Sequence, residues 1–212
     1  MKKQLIIIMA LAFLISSNTS INNELKEHFS EERLIVLTDS TSAREFWKNL
    51  KALNGKAFEG QLVSAPANDD FAGKKLVMHV LSVDDETILI PFNVGDNRSR
   101  TWILKYKNGN IELKHDHRHE DGSNDKVTMY GGTSTNTGTA NMQVFPADEE
   151  TVAVIPSAFS NAWWITVDST TYTYNLRRLG SDRLFTVSFD LTKEVEIPKP
   201  SWGWEKFKEV KY

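Results

Sequence analysis

The sequence contains no cysteine, which excludes disulfide bonds, a cysteine nucleophile and a lipid attached through cysteine. A Gly-x-Ser-x-Gly motif and a Gly-Lys-Ser/Thr phosphate loop are also absent, so two common catalytic and nucleotide-binding signatures are missing. No apolar run reaches the about 20 residues that a membrane-spanning helix needs. Stability therefore has to come from a packed core, and function has to be sought outside these motifs.

The N-terminal segment has the three parts of a secretory signal. Lys2 and Lys3 carry positive charge, Leu5–Ile15 is an apolar run, and small polar residues follow at 16–20. The apolar run is too short to span a bilayer. We therefore predict a signal peptide at 1–20, export to the periplasm or the medium, and no membrane contact after cleavage. An uncleaved signal anchor is the alternative.

The charge and length of the remaining chain are those of an ordinary soluble domain. Without Lys2 and Lys3 the chain has 23 basic and 28 acidic residues, a net charge of −5. This balance does not favour binding to nucleic acid or to an anionic membrane, and we expect neither partner. The length suits one domain at 38–197, preceded by a charged lead-in segment at 21–37 and followed by an extended tail at 198–212.

Two kinds of apolar spacing divide the domain. Helical spacing predicts a helix at 40–53, which ends at Asn54-Gly55 and whose apolar stripe would cover a sheet or a barrel mouth. From Lys56 onward the spacing changes to two residues, which is typical of strands. A short second helix is predicted at Ala147–Ile155, and a flexible loop or lid at Gly131–Gly138. The predicted strands are 56–64, 74–83, 86–93, 98–107, 110–119, 126–130, 139–145, 162–168, 171–178 and 183–191.

The registers of the predicted hairpins agree with one another. A two-residue turn at Asn108-Gly109 pairs Trp102 with His115 and Leu104 with Leu113 on one face. A slip of one residue would break every such pair. We therefore predict a mainly β, calycin-like antiparallel barrel of about ten strands with an N-terminal helix, and a β-sandwich is the alternative. Two later turns join three strands whose apolar residues share one side: Trp163, Ile165 and Val167, then Tyr172, Tyr174 and Leu176, then Phe185, Val187 and Phe189.

Histidines alternate along the predicted strand at 110–119. In a strand, His115, His117 and His119 point the same way as the apolar residues before them, so they continue the inward face. The hairpin register places Arg100 opposite His117 and Arg98 opposite His119. A further histidine, on a face with Val77 and Leu81, is a weaker candidate. The predicted ligand-binding residues are His115, His117, His119, Arg98, Arg100, Trp102 and His79.

Three hypotheses account for this cluster. The first is a barrel pocket that binds a small polar or anionic molecule between the arginines, the histidines and aromatic walls. The second is an enzyme that uses the histidines, with or without zinc. The third is a structural envelope protein without a small ligand, in which the histidines belong to a buried hydrogen-bond network. We favour the first; we expect no cofactor and no metal, because the arginines repel a cation.

The histidine motif at Lys114–Ser123 resembles a motif of a group of exported bacterial proteins of unassigned function. Four other segments match that group, at Leu76–Val80, Ser99–Trp102, Tyr130–Gly132 and Phe145–Asp148. The resemblance implies an exported bacterial protein and assigns no activity and no binding residues. In strand count and meander the chain is also similar to calycin-type barrels such as lipocalins, an analogy of architecture that does not determine a function.

Overall fold

The computed structural model describes residues 42–82, 84–135 and 138–205. The predicted signal peptide, the lead-in segment and residues 206–212 of the predicted tail lie outside these ranges. Among the described residues, no helix has the length and apolar character needed to cross a membrane.

The described elements are mostly strands. Helix α1 occupies residues 42–51, helix α2 is Glu149–Val154, and a 3₁₀ turn follows at Pro156–Ala158. Asp148 caps α2, because its side chain accepts a hydrogen bond from the backbone N–H of Thr151 at 2.8 Å. The strands are β1 (Ala57–Ser64), β2 (Leu76–His79), β3 (Leu81–Ser82), β4 (Thr87–Val94), β5 (Asn97–Lys107), β6 (Asn110–His117), β7 (Tyr130–Thr133), β8 (Met142–Pro146), β9 (Asn161–Val167), β10 (Thr171–Arg178) and β11 (Leu184–Val195).

These strands form one antiparallel sheet that is nearly closed into a barrel. Its order is β7-β6-β5-β4-β2-β1-β11-β10-β9-β8, and the short strand β3 also pairs with β4. The predicted barrel with a helix near its N-terminus is therefore confirmed, and the β-sandwich is not the structure adopted.

The predicted hairpin registers are confirmed as well. Trp102 lies opposite His115, and Leu104 lies opposite Leu113, in β5 and β6. The apolar members of these pairs share one buried core with the apolar face of α1. In β9, β10 and β11 the observed pairs are Val167–Tyr172, Ile165–Tyr174 and Trp163–Leu176, then Tyr172–Phe189, Tyr174–Val187 and Leu176–Phe185.

The chain departs from the prediction after β6. This strand ends at His117, because the chain then enters a tight turn closed by two backbone hydrogen bonds between His119 and residues 122 and 123. The chain pairs with β6 again only from Tyr130. The strand predicted at 126–130 is therefore β7 at Tyr130–Thr133, and β7 takes up the start of the segment predicted as a loop or lid.

Helix α2 is bonded to β7 close to the place where the two end strands, β7 and β8, meet. The hydroxyl of Thr151 in α2 donates to the carbonyl oxygen of Gly131 at 2.8 Å and accepts from the N–H of Gly131 at 2.6 Å. Glycine is also needed at position 132, because a Cβ there would clash with the carbonyl oxygen of Pro146. Helix α2 is thereby held against the edge of the barrel.

One end of the barrel is covered by a helix, and the other end is open. At the end where β5 meets β6 in a turn, α1 buries Phe46, Trp47 and Leu50, and the Trp47 ring lies 5.8 Å from the ring of Tyr106. At the other end, where β5 begins and β6 ends, the interior opens into a pocket.

Candidate ligand pocket

At the open end of the barrel, the inward faces of five strands change from apolar to polar. Alternate residues of a strand point to the same face, so the residue two positions beyond the last apolar one still points inward. Each strand reaches the pocket in this way. The inward polar residues are Arg100 beside Trp102 in β5, His117 beside His115 in β6, Asn161 beside Trp163 in β9, Arg178 beside Leu176 in β10, and Arg183 just before the inward Phe185 of β11.

These residues surround a cavity of about 440 Å³ with aromatic walls. Trp102 stacks on Tyr174 with ring centroids 4.3 Å apart, and the ring of His115 stacks on Tyr130 at 4.6 Å. The 3₁₀ turn and the loop between β1 and β2 complete the rim. Apolar walls with a few convergent polar groups are typical of small-molecule sites.

His115 is buried in the wall and uses both ring nitrogens. Burial lowers its pKa to about 3, so the ring is neutral near pH 7. Nδ1 lies 2.9 Å from the carbonyl oxygen of Tyr130, which can only accept, so Nδ1 carries the proton. Nε2 lies 2.7 Å from the hydroxyl of Tyr174, which therefore donates to it. This arrangement fixes the tautomer and the orientation of the ring.

His117 lies in the wall next to Tyr130. Its Nε2 is 3.1 Å from the Tyr130 hydroxyl, and its backbone N–H donates to the hydroxyl of Thr128 at 2.8 Å. Burial and, after it, the positive charge of Arg100 lower the pKa of His117 to about 4. Both inward histidines are therefore neutral at pH 7, and the charge of the pocket comes from other residues.

Three arginines line the pocket without a carboxylate partner. In the described part of the chain, Arg100, Arg178 and Arg183 form no ion pair. Neutral oxygens position two of them: Arg100 Nη1 donates to Asn97 Oδ1 at 3.1 Å, and Arg178 Nε donates to Asn161 Oδ1 at 2.9 Å. Burial lowers the pKa of Arg100, but a guanidinium stays charged at any pH at which proteins fold. The pocket is therefore positively charged.

Tyr130 lies within electrostatic reach of two of these arginines. Burial raises the pKa of its hydroxyl to about 12, while the charges of Arg100 and Arg183 act in the opposite direction. Burial also raises the pKa of Tyr174. Both hydroxyls are therefore neutral hydrogen-bonding groups beside a positively charged surface.

The structure brings four predicted site residues together and leaves three outside the pocket. His119 is exposed in the turn that follows β6. The predicted pairing of Arg98 with His119 is wrong, because the ladder between β5 and β6 ends before it. The four predicted residues that line the pocket are Arg100, Trp102, His115 and His117.

Arg98 and His79 lie on the outside of the barrel, beneath the C-terminal tail. Arg98 Nη1 donates to the carbonyl oxygen of Pro200 at 2.6 Å. His79 shares a face with Val77 as predicted, but its neighbour Met78 is the residue that enters the core. His79 instead lines a separate recess between the tail and the outer face of β4. These two residues are therefore not part of the pocket.

The pocket is not arranged as a metal centre. Within residues 42–82, 84–135 and 138–205, no group of three or more histidine and acidic side chains could hold a metal ion. Both nitrogens of His115 are engaged, and the charge of Arg100 acts on His117. This geometry does not favour the zinc form of the histidine-enzyme hypothesis.

The sequence interpretation missed four polar residues in or beside the strands that line the pocket, as well as Asp69 and Ser157 of its rim. Three of them followed from the rule that identified Arg100, because each lies two positions from an inward residue in a strand of correctly predicted register. Tyr130 could not be found in this way, because its strand was placed too early. The four missed residues in or beside the strands are Tyr130, Asn161, Arg178 and Arg183.

The pocket therefore combines an excess of positive charge, neutral hydrogen-bonding groups and aromatic walls. Such a set can hold an anion by charge-assisted hydrogen bonds from guanidinium groups. Comparisons of the chain with protein families, with curated proteins and with solved structures found no match.

Proposed function

We propose that the protein binds a small organic anion in the barrel pocket. The observation that carries this proposal is the set of three lining arginines that form no ion pair with a carboxylate of the described residues. Arg183 is exposed at the rim, but keeping the charges of Arg100 and Arg178 partly out of water costs free energy. A bound anion would offset this cost and would accept hydrogen bonds from the guanidinium groups.

The aromatic walls support a ligand with an apolar body attached to its anionic group. Trp102, Trp163 and Phe185 line the same cavity as the arginines. Burying apolar ligand surface against such side chains contributes roughly 25 cal/mol per Å². The proposed ligand is therefore an amphipathic organic anion and not a simple inorganic ion.

The two other hypotheses explain less of the geometry. A buried structural network accounts for His115, which bonds to Tyr130 and Tyr174, but it does not account for arginines that lack acidic partners. The hydrogen bond between His117 and Tyr130 is the one feature that favours acid–base chemistry, and it supports an enzyme only as the second candidate.

A matched pair of variants on β10 tests the proposal. Adjacent strand residues face opposite ways, so Arg178 points into the pocket while Arg177 points out. Intrinsic tryptophan fluorescence, reported by Trp102 and Trp163, would follow titration with aryl carboxylates and aryl phosphates. We expect Arg178→Gln to weaken binding about tenfold, as loss of a charge-assisted hydrogen bond does, and Arg177→Gln to leave it unchanged. Equal effects of both variants, or no binding of any anion by the unaltered protein, would contradict the proposal.

We further propose that the chain is exported to the periplasm or the medium and that the mature domain works without nucleic acid, membrane or cofactor. The charged and apolar segments at 1–20 and the resemblance to exported bacterial proteins support this. N-terminal sequencing of the protein recovered from its producing cell tests it. A mature chain that begins soon after residue 16 is expected, and a chain that retains Met1 would argue for a signal anchor or for no export.

A further inference from the structure

The charges that line the pocket do not balance. Three guanidinium groups face the cavity, and the one carboxylate in its lining is that of Asp69. Because His115 and His117 are neutral near pH 7, the lining has a net charge of +2. Asp69 Oδ1 accepts the backbone N–H of Phe71 at 3.0 Å, and Asp69 and the exposed Asp70 also attract Arg100 electrostatically without forming an ion pair.

Neutral partners orient the arginines without reducing their charge. Arg100 Nη1 donates to the amide oxygen of Asn97 and to the hydroxyl of Ser99, at 3.1 and 3.3 Å. Among the described residues, Arg178 is held through Nε alone, at 2.9 Å from Asn161 Oδ1, so within that part of the chain both of its terminal nitrogens are available to a ligand. A carboxylate in place of either amide would have cancelled one charge. The charge is thus directed at the cavity, and at Arg100 it is offset only in part by the longer-range attraction of Asp69 and Asp70.

The three charges also converge. Arg100 and Arg183 both act on the hydroxyl of Tyr130, although Arg100 lies in β5 and Arg183 lies in the turn before β11. Arg178 and Arg183 flank the turn between β10 and β11 and line the same cavity. A single singly charged group cannot satisfy all of these donors, whereas a doubly charged group has enough acceptor oxygens and the opposite charge.

We propose that the head group of the ligand carries two negative charges, as in a phosphate monoester on an apolar body. This inference rests on the proposed function, because it specifies the anion that the same pocket binds. A dicarboxylate has the same charge, and the probes described below distinguish a dicarboxylate head group from a phosphate head group.

Four aryl probes with similar apolar bodies test the charge directly on the unaltered protein. At pH 8, phenyl phosphate and phenylmalonate are dianions, because the second pKa of a phosphate monoester is about 6. Methyl phenyl phosphate and benzoate are monoanions at the same pH. Affinities would be measured by calorimetry at one ionic strength, since surface charge effects are screened by salt. We expect phenyl phosphate to bind at least about tenfold more tightly than methyl phenyl phosphate, as an extra charge-assisted contact implies.

The outcomes separate this inference from the proposed function. Monoanions that bind as tightly as dianions would overturn the doubly charged head group and leave the anion pocket standing. Failure of all four probes would overturn both. If phenylmalonate binds as tightly as phenyl phosphate, the pocket recognises the charge alone. If phenylmalonate binds more weakly, the pocket recognises the geometry of the phosphate as well. Arg183→Gln should reduce the preference for the dianion, and Arg177→Gln, which removes an outward charge, should not.

Discussion

The two faces of strand β6 carry their charges in different ways. On the outer face, Lys114 lies 2.6 Å from both Asp148 and Glu150, and Asp116 accepts from Arg118 Nε at 2.7 Å. Each of these outer charges has a partner of opposite sign, and the pairs attach α2 and the turn after β6 to the barrel.

On the inner face, where β6 pairs with β5, Arg100 forms no ion pair with the described residues, and Asp69 and Asp70 act on it only from a longer distance. His115 and His117 are neutral, and Arg100, which lies opposite His117, is held by neutral oxygens. The comparison separates two uses of charge on the two faces of the β5–β6 hairpin. Paired charges stabilise the fold, whereas positioned but unpaired charges are a property expected of a binding site, where stability is lower than it could be.

The largest expected effect is on the pH dependence of the free energy of unfolding, and it comes from the two histidines of the inner face. The pKa values of His115 and His117 are lowered by burial to about 3 and about 4 in the folded protein, below the unfolded value of about 6.5. Between these limits the unfolded chain binds protons that the folded chain does not. The contribution of these histidines to the free energy of unfolding is therefore complete only well above pH 6.5, and it falls as the pH drops through 6.5, by up to about 1.4 kcal/mol per pH unit for each histidine.

The outer face loses stability in a lower pH window. Burial acts to raise the pKa of Asp148, but hydrogen bonds from Lys114 and Thr151 outweigh it and lower the pKa. Its contribution is present above the unfolded pKa of about 3.9 and is lost only below it. Urea denaturation from pH 7.5 to 4.5 would thus report the histidines, and His117→Gln should make the slope shallower. A flat profile in this window would show that the inner histidines are already accessible to protons.

The second prediction removes a buried charge from the outer face. The Asp116 carboxylate also accepts from the indole N–H of Trp204 at 2.8 Å and from the hydroxyl of Thr128 at 3.2 Å. Asp116→Ala deprives Arg118 of its carboxylate, so we expect a loss of about 3 kcal/mol in the free energy of unfolding. Probe affinity in the pocket should not change.

An exposed acid provides the control for this variant. Asp182 lies in the turn between β10 and β11 and is exposed, so Asp182→Ala should leave stability unchanged in the same denaturation experiment. If Asp116→Ala is equally harmless, the outer pairs do not have the structural role assigned to them.

The last prediction concerns the free energy of unfolding, which should change in opposite directions when an arginine is replaced on the inner or on the outer face. Arg100→Met removes an unpaired, partly buried cation, and we expect it to raise the stability of the ligand-free protein by about 0.5 to 1 kcal/mol while it abolishes anion binding. Arg118→Met removes the partner of Asp116 and should lower stability. Thermal unfolding of the two variants without ligand would measure both. Destabilisation by Arg100→Met would mean that Arg100 serves the fold and not a ligand.

Much of the barrel followed from residue patterns because strand pairing depends on local, repeated geometry. The Asn108-Gly109 turn set the β5–β6 register, and that register placed Trp102 beside His115 as observed. The rule that alternate residues of a strand share a face also identified Arg100 and His117 as inward residues. It would have reached Arg178, had the inward face of β10 been followed two residues further.

The remaining errors arose where the path of the chain depends on distant contacts. His119 was assigned to the strand because the turn signal in the sequence begins at Glu120, whereas the backbone hydrogen bonds that close the turn begin at His119. Arg98 was assigned to the pocket, but its outward position is tied to Pro200, which lies 102 residues away in the sequence. Parity could place His79 with Val77, but only the packing of Met78 shows which of the two faces is inside.

The sequence by itself therefore determined the strands, most of their registers and the sets of residues that share a face, because alternation and turn chemistry act over a few residues. Only the tertiary structure decided which face became the interior at β2, where β6 ends, and which arginines meet around one cavity. These outcomes depend on contacts between strands far apart in the chain, and they convert a row of histidines into the neutral wall of a positively charged pocket.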